Sequence, residues 1–219
     1  MKKFKAAIFD MDGTLLDTMY IWRHLTREYL NSKNIPIPEE IRDKLVTMGI
    51  VRVVNLLQEN FKFGLTDDEL REELYVVLAN YYRNNSVLKP GALNLLKKLQ
   101  ERNVSTVILS ATPEPLLRIA LGKVGVEKYF SHGILSCASM KYTKFQPESF
   151  YAAIEHLKVN KDEVMVFEDA WYAANTAKQS GLAVSMIAEP TELKVEETRQ
   201  LADFYAEKSW DEFPVENFF

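Results

Sequence analysis

The segment Lys5-Ala6-Ala7-Ile8-Phe9-Asp10-Met11-Asp12-Gly13-Thr14 changes character abruptly at Asp10. Its apolar run is short and unbroken, which predicts a strand buried on both faces that runs into a polar turn. Three later runs have the same shape. Val104-Ser105-Thr106-Val107-Ile108-Leu109 stops at Ser110, Glu163-Val164-Met165-Val166-Phe167 stops at Glu168-Asp169, and Leu182-Ala183-Val184-Ser185-Met186-Ile187 follows Gly181. Helix-like segments lie between them at 90–102, 113–124, 147–157 and 170–180, several opening on a proline, which the first turn of a helix tolerates. Strands that alternate with helices imply parallel crossovers, hence an α/β fold with a doubly wound parallel sheet.

The stretch 18–86 breaks this rhythm. Leu70, Leu74, Val77, Leu78 and Tyr81 recur at spacings of three and four, which puts them on one helical face, and no convincing buried strand accompanies them. The turn chemistry of Lys89-Pro90-Gly91 suits a hinge where the chain rejoins the sheet. Residues 1–17 and 87–219 are therefore expected to form a catalytic core, and 18–86 an inserted α-helical domain.

Composition narrows the function classes. With 219 residues, 47% of them hydrophobic, the chain can bury a sizeable core. Its 27 basic and 31 acidic residues are mixed along the sequence for a net charge of −4, so no basic stripe offers a footprint for nucleic acid. Cys137 is the single cysteine, cannot form an internal disulfide, and reads as a small buried hydrophobe. Met1-Lys2-Lys3-Phe4-Lys5 resembles the charged start of a signal peptide, but Asp10 and Asp12 interrupt the apolar run before a signal core can form. No stretch approaches the roughly 18 apolar residues of a membrane span. A cytoplasmic monomer without a membrane or nucleic-acid partner is expected.

Two acids two residues apart at the carboxyl end of a parallel strand can face the crevice where open α/β sheets place their ligands. An Asp-X-Asp by itself reads as a solvated surface turn; the apolar run before Asp10 and the Gly13-Thr14 after Asp12 change that reading. Gly13 lets the backbone turn closely around a bound anion. Clustered carboxylates repel a phosphate, so phosphoryl transfer here requires a hard cation and a positive side chain. Glu168 and Asp169 offer oxygen ligands and Lys144 offers the charge. Ser110, followed by Ala111 at an apparent helix start, can add a hydroxyl and backbone donors.

Asp10-Met11-Asp12-Gly13-Thr14, Ser110, Lys144 and Glu168-Asp169 together resemble, in order, the four motifs of the haloacid dehalogenase superfamily, and the resemblance spans nearly the whole chain. It implies a Rossmann-like core, and the insert resembles the type 1 helical cap of the branch containing phosphoglycolate phosphatase and β-phosphoglucomutase. Carried over residue by residue, it makes Asp10 the nucleophile and Asp12 the general acid/base. Ser110 and Lys144 would hold the phosphoryl group, with the backbone at Gly13 and Ala111 beside it. Asp10, the backbone carbonyl of Asp12, and Asp169 would bind Mg2+, and Glu168 would be a ligand directly or through water. The second acid, Asp12, points to phosphate esters, because members that act on haloacids or phosphonates typically lack it.

Two departures stand out. The third motif is often Lys-Pro-X-Pro, whereas this chain has Lys144-Phe145-Gln146-Pro147; Pro147 favours Lys144, with Lys141 the alternative. The fourth usually carries a glycine where Trp171 and Tyr172 stand. Specificity is expected between Asp17 and Arg52, at Tyr20, Trp22, Arg23, Met48, Gly49 and Arg52. Gly49-Ile50-Val51-Arg52 resembles the Gly-X-X-Arg segment of the β-phosphoglucomutase cap; Trp22 and Met48 replace a histidine and a lysine usual there, or are cap core. The expected activity is Mg2+-dependent hydrolysis of a small phosphorylated metabolite, a sugar or polyol phosphate, through an aspartyl-phosphate. The alternatives are a β-phosphoglucomutase-like hexose phosphomutase and a non-catalytic protein that keeps the fold.

Overall fold

The structure, a computed structural model, describes residues 3–39, 41–42 and 49–219. Its strands are β1 (Ala6–Phe9), β2 (Ser105–Ser110), β3 (Ile134–Ser136), β4 (Val164–Glu168), β5 (Ala183–Ile187) and β6 (Phe204–Ala206). They form one sheet in the order β3-β2-β1-β4-β5-β6, with every neighbouring pair parallel. The doubly wound parallel sheet expected from the alternating runs is therefore present. β3 and β6 were not foreseen: each is three residues long, at an edge of the sheet, and too short to print a pattern on the sequence.

The order reverses at β1, which lies between β2 and β4. Phe9 stands opposite Ile108 on one side and Phe167 on the other, so the chain leaves β1 and β4 side by side at their carboxyl ends. Asp10 N extends the ladder by donating to Phe167 O at 3.0 Å. Such a reversal is where ligands bind in open α/β sheets.

The chain divides into two compact units, Thr18–Ser86 and the remainder. Within Thr18–Ser86 the described residues form three longer helices, α1 (Met19–Ser32), α2 (Ile50–Asn60) and α3 (Asp67–Asn85). A capping box starts α3: Thr66 accepts from Glu69 N while the Glu69 carboxylate accepts from Thr66 N at 2.8 Å. Its buried face is Leu70, Leu74, Leu78, Ala79 and Tyr82. Val77 and Tyr81 are only half-buried, because a helix of 3.6 residues per turn carries the stripe on to Ala79 and Tyr82.

The other unit adds α4 (Ala92–Glu101), α5 (Glu114–Val124), α6 (Cys137–Met140), α7 (Pro147–Leu157), α8 (Trp171–Gln179), α9 (Val195–Leu201) and α10 (Val215–Phe218). Alternation along the strands sends Ala6, Ile8, Val107, Val164, Val166 and Val184 toward α7 and α8, where Phe150, Ala153, Leu157, Ala173 and Ala177 meet them. Cys137 is buried in the same cluster. On the other face Phe9 and Phe167 stack with ring centroids 4.3 Å apart, and Trp210 and Phe213 pack edge-on against Phe167.

Either side of the insert, the chain is pinned within this unit. Leu16 bridges Leu88, Asp17 N donates to Val87 O at 3.0 Å, and Lys89 N donates to Leu15 O at 2.8 Å. Gly91 then starts α4 at φ +76, where an added Cβ would lie 2.4 Å from Asp211 N. Only glycine fits there.

Candidate active site

After β1 the chain makes one tight loop. Leu15 N and Leu16 N both donate to Met11 O, at 3.0 and 2.9 Å, and Gly13 N donates to Leu16 O at 2.8 Å. Gly13 takes φ +85 while buried, a conformation that would strain any residue with a Cβ. The loop projects Asp10 from the strand end and leaves Asp12 half-buried two residues on.

Asp10, Glu168 and Asp169 converge across the reversal, with one carboxylate oxygen from each within 4.8 Å of the others and all three residues buried. The Lys144 ammonium is ion-paired to both Asp10 Oδ1 and Glu168 Oε1. Lys141 is exposed at the end of α6, and of the two candidate lysines Lys144 is the one paired with this cluster. Glu168 Oε2 also accepts from Asp169 N and Ala170 N, at 3.0 and 3.1 Å, which satisfies donors at the start of α8.

The side chain of Asp12 lies toward β2 instead. Its Oδ2 accepts from Thr112 Oγ1 at 2.7 Å. Ser110 is buried at the end of β2, and its Oγ accepts from Thr112 N at 3.2 Å, while Ser136 Oγ donates to Thr112 O at 2.9 Å. Ala111 between them is exposed.

Burial dominates the electrostatics. Loss of hydration pushes the Asp10 carboxyl up to about 7; Lys144 pulls against this, and the charges of Glu168 and Asp12 add to it. Asp169 is raised well above the usual carboxylate range by burial and then by Glu168 and Asp10, despite the hydroxyl of Thr14 donating to its Oδ1 at 2.8 Å. Burial by itself would depress the Lys144 ammonium, but Asp10 and Glu168 outweigh that and hold it well above an ordinary lysine. Two of the three buried carboxylates, Asp10 and Glu168, thus share one ammonium. Hard oxygen donors with excess negative charge in so small a space fit a hard divalent cation.

The remaining specificity candidates lie in the helical unit. Trp22 on α1 is half-buried, with its indole N–H donating to Tyr82 Oη at 3.2 Å on α3. Tyr20 is exposed and stacks on His24 at 4.2 Å, and Arg23 is half-buried. Gly49 precedes α2 at φ +87, and Arg52 is exposed on its first turn. Met48 lies outside the described residues.

Three contributors escaped the sequence reading. Thr14 stood inside a quoted motif and Thr112 just past Ser110 and Ala111, but hydroxyls that orient carboxylates leave no pattern of their own; Trp210 lies far from any motif. The two departures, Phe145 and Tyr172, meet as a stacked pair with centroids 4.3 Å apart, and burial pushes the Tyr172 phenol up.

Comparison with known proteins agrees with this fold. The family model for haloacid dehalogenase-like hydrolases matches residues 4–181. Over 187 residues the chain is 26% identical to a phosphorylated carbohydrates phosphatase of Thermotoga maritima, covering 81% of this chain and 82% of that protein. It is 29% identical over 185 residues to the phosphoglycolate phosphatase of Neisseria gonorrhoeae, covering 81% and 77% respectively. Among solved structures, a HAD hydrolase of family IA, variant 3, from Entamoeba histolytica superposes with a TM-score of 0.79 at 18% identity, over 97% of this chain and 96% of that one.

Proposed function

The chain belongs to the haloacid dehalogenase-like hydrolase family, and on that footing we propose that it is a Mg2+-dependent phosphatase for a small phosphorylated metabolite of the sugar- or polyol-phosphate class. The observation that carries this reading is the convergence of Asp10, Glu168, Asp169 and Lys144 at the carboxyl ends of the central strands, with Asp12 beside them on Thr112. A relative that acts on phosphorylated carbohydrates supports the substrate class.

The roles follow from the chemistry. An Asp10 carboxylate oxygen attacks phosphorus, the bridging P–O bond breaks, and the leaving alkoxide takes the proton of the Asp12 carboxyl. Asp12, now ionised, takes a proton from water; the water oxygen attacks phosphorus, the acyl P–O bond breaks, and phosphate leaves with the Asp10 carboxylate restored. Lys144 neutralises charge on the phosphoryl oxygens, and the Ser110 hydroxyl donates to one of them. Bound Mg2+, held by Asp10, Asp169 and the Asp12 carbonyl, with Glu168 a ligand directly or through water, would supply the positive charge that admits an anionic ester to an acidic cluster. The helical unit acts as the cap, with Trp22, Gly49 and Arg52 as specificity residues and Gly13 and Ala111 lining the phosphoryl position.

Purified protein should release phosphate from members of a sugar- and polyol-phosphate panel only with Mg2+ present, and Asp10→Asn should release none. Undiminished turnover by Asp10→Asn would remove the nucleophile. Interconversion of β-glucose 1-phosphate and glucose 6-phosphate faster than phosphate release would make the protein a mutase instead.

A further inference from the structure

The family match ends at residue 181, yet a residue well beyond it hydrogen-bonds Thr14, whose hydroxyl meets the carboxylate cluster. Trp210 opens a single 3-10 turn, Trp210–Glu212, held by Ser209 accepting from Asp211 N and by the Glu212 carboxylate accepting from Glu207 N, Lys208 N and Ser209 N. The indole is 1% exposed and lies edge-on to Phe167, centroids 5.3 Å apart. Its Nε1–H donates to Thr14 O at 2.8 Å, and its backbone N–H donates to Pro90 O at 2.9 Å. Thr14 is itself fully buried, and its Oγ1 donates to Asp169 Oδ1 at 2.8 Å.

A buried indole has one donor and no acceptor, so its partner is the carbonyl it faces. Holding that carbonyl fixes the peptide plane at Thr14. Threonine is stiff at χ1, so a fixed backbone fixes the direction of its hydroxyl. The hydroxyl in turn sets one oxygen of Asp169, a member of the three-carboxylate cluster. We propose that Trp210 is a positioning residue for the cation site, acting on Asp169 through Thr14, so that the C-terminal segment is part of the catalytic apparatus. This rests on the cation-dependent reading above. Outer hydrogen bonds of this kind typically change metal affinity by about 10–100-fold when removed.

The test is Mn2+ binding, followed by the electron paramagnetic resonance signal of the free ion, with circular dichroism as a check on the fold. Trp210→Phe keeps the ring and removes the N–H; Thr14→Val keeps the shape and removes the hydroxyl; Thr14→Ser keeps the hydroxyl. Trp210→Phe and Thr14→Val should each weaken binding by about 10-fold. Thr14→Ser, which keeps the hydroxyl but loses the methyl that stiffens χ1, should bind between Thr14→Val and the wild type. Because the two bonds act in series, Trp210→Phe on the Thr14→Val background should weaken binding no further. Wild-type affinity in a folded Trp210→Phe protein, or full additivity in the double variant, would overturn the proposal. So would a Trp210→Phe protein that cannot fold beside a folded Thr14→Val protein of normal affinity. If the wild-type protein itself bound no Mn2+, the cation premise would fall with it, whereas an indifferent Trp210→Phe beside a normal wild type removes this proposal alone.

Discussion

Lys144→Met isolates the electrostatics of the cluster, because methionine keeps the unbranched apolar stem and removes only the ammonium. That ammonium is the counter-charge for Asp10 and Glu168, and the three residues are 4%, 8% and 1% exposed. A pair of unit charges about 4 Å apart at an effective dielectric near 20 interacts by about 4 kcal/mol, so two such contacts gross roughly 8 kcal/mol. Desolvating the ammonium costs several kcal/mol in the other direction, leaving a net loss of about 3–5 kcal/mol, as for other buried pairs broken by removing one partner. In a chain of this size each kcal/mol moves the melting temperature by about 2–4 °C. In EDTA at pH 8, Lys144→Met should therefore melt about 6–20 °C below the wild type by differential scanning calorimetry. The deficit should shrink at pH 5.5, where Asp10, raised to about 7, carries a proton in the folded protein. Lys141→Met, at an exposed position, should stay within about 0.5 kcal/mol of the wild type. A folded Lys144→Met protein melting within about 2 °C of the wild type at pH 8 would refute the assignment of Lys144 as the counter-charge.

Two further outcomes follow from the same geometry. In EDTA the wild-type protein should lose stability as pH rises from about 4 to 7, because Asp10 and Asp169 are raised by burial and the folded state binds more protons than the unfolded chain in that window. Urea midpoints at pH 5.5 and 8 measure this, and saturating Mg2+ should reverse the trend by binding the folded state; a midpoint that rises with pH in EDTA contradicts the burial argument. Gly91→Ala puts a Cβ 2.4 Å from Asp211 N and 2.6 Å from Ser209 Oγ at φ +76, and should cost about 1–3 kcal/mol in urea denaturation. An unchanged midpoint would mean that this turn opens freely.

The central strands were legible because burial on both faces leaves an uninterrupted apolar run, as in Ala6-Ala7-Ile8-Phe9 and Val164-Met165-Val166-Phe167. Edge strands of three residues leave no such run, which is why Ile134–Ser136 and Phe204–Ala206 could not be read. The acids at the strand ends were legible by position, since a strand end fixes where its next residue emerges. What the sequence could not convey was orientation. Thr112 holding Asp12, Thr14 holding Asp169 and Trp210 holding Thr14 are contacts between residues distant in the chain, made by side chains common in many other settings. On α3 the spacing found Leu70, Leu74 and Leu78, but it placed Val77 and Tyr81 where Ala79 and Tyr82 are covered: spacing identifies a stripe, and the packing partner decides its margins.

The strand that delivers Asp10 is the first to be made, and both of its neighbours come late: Ala6 pairs with Ser105 and with Val164. During synthesis at about 5–20 residues per second, the N-terminal strand waits on the order of ten seconds or more before β4 exists. The Thr18–Ser86 unit, built from contiguous chain, can close during that interval. Ala6-Ala7-Ile8-Phe9 meanwhile stays unpaired and apolar, a template for wrong partners in a crowded polysome. Conditions that slow translation past residue 87 should therefore tax the yield of native protein more than its finished stability would suggest.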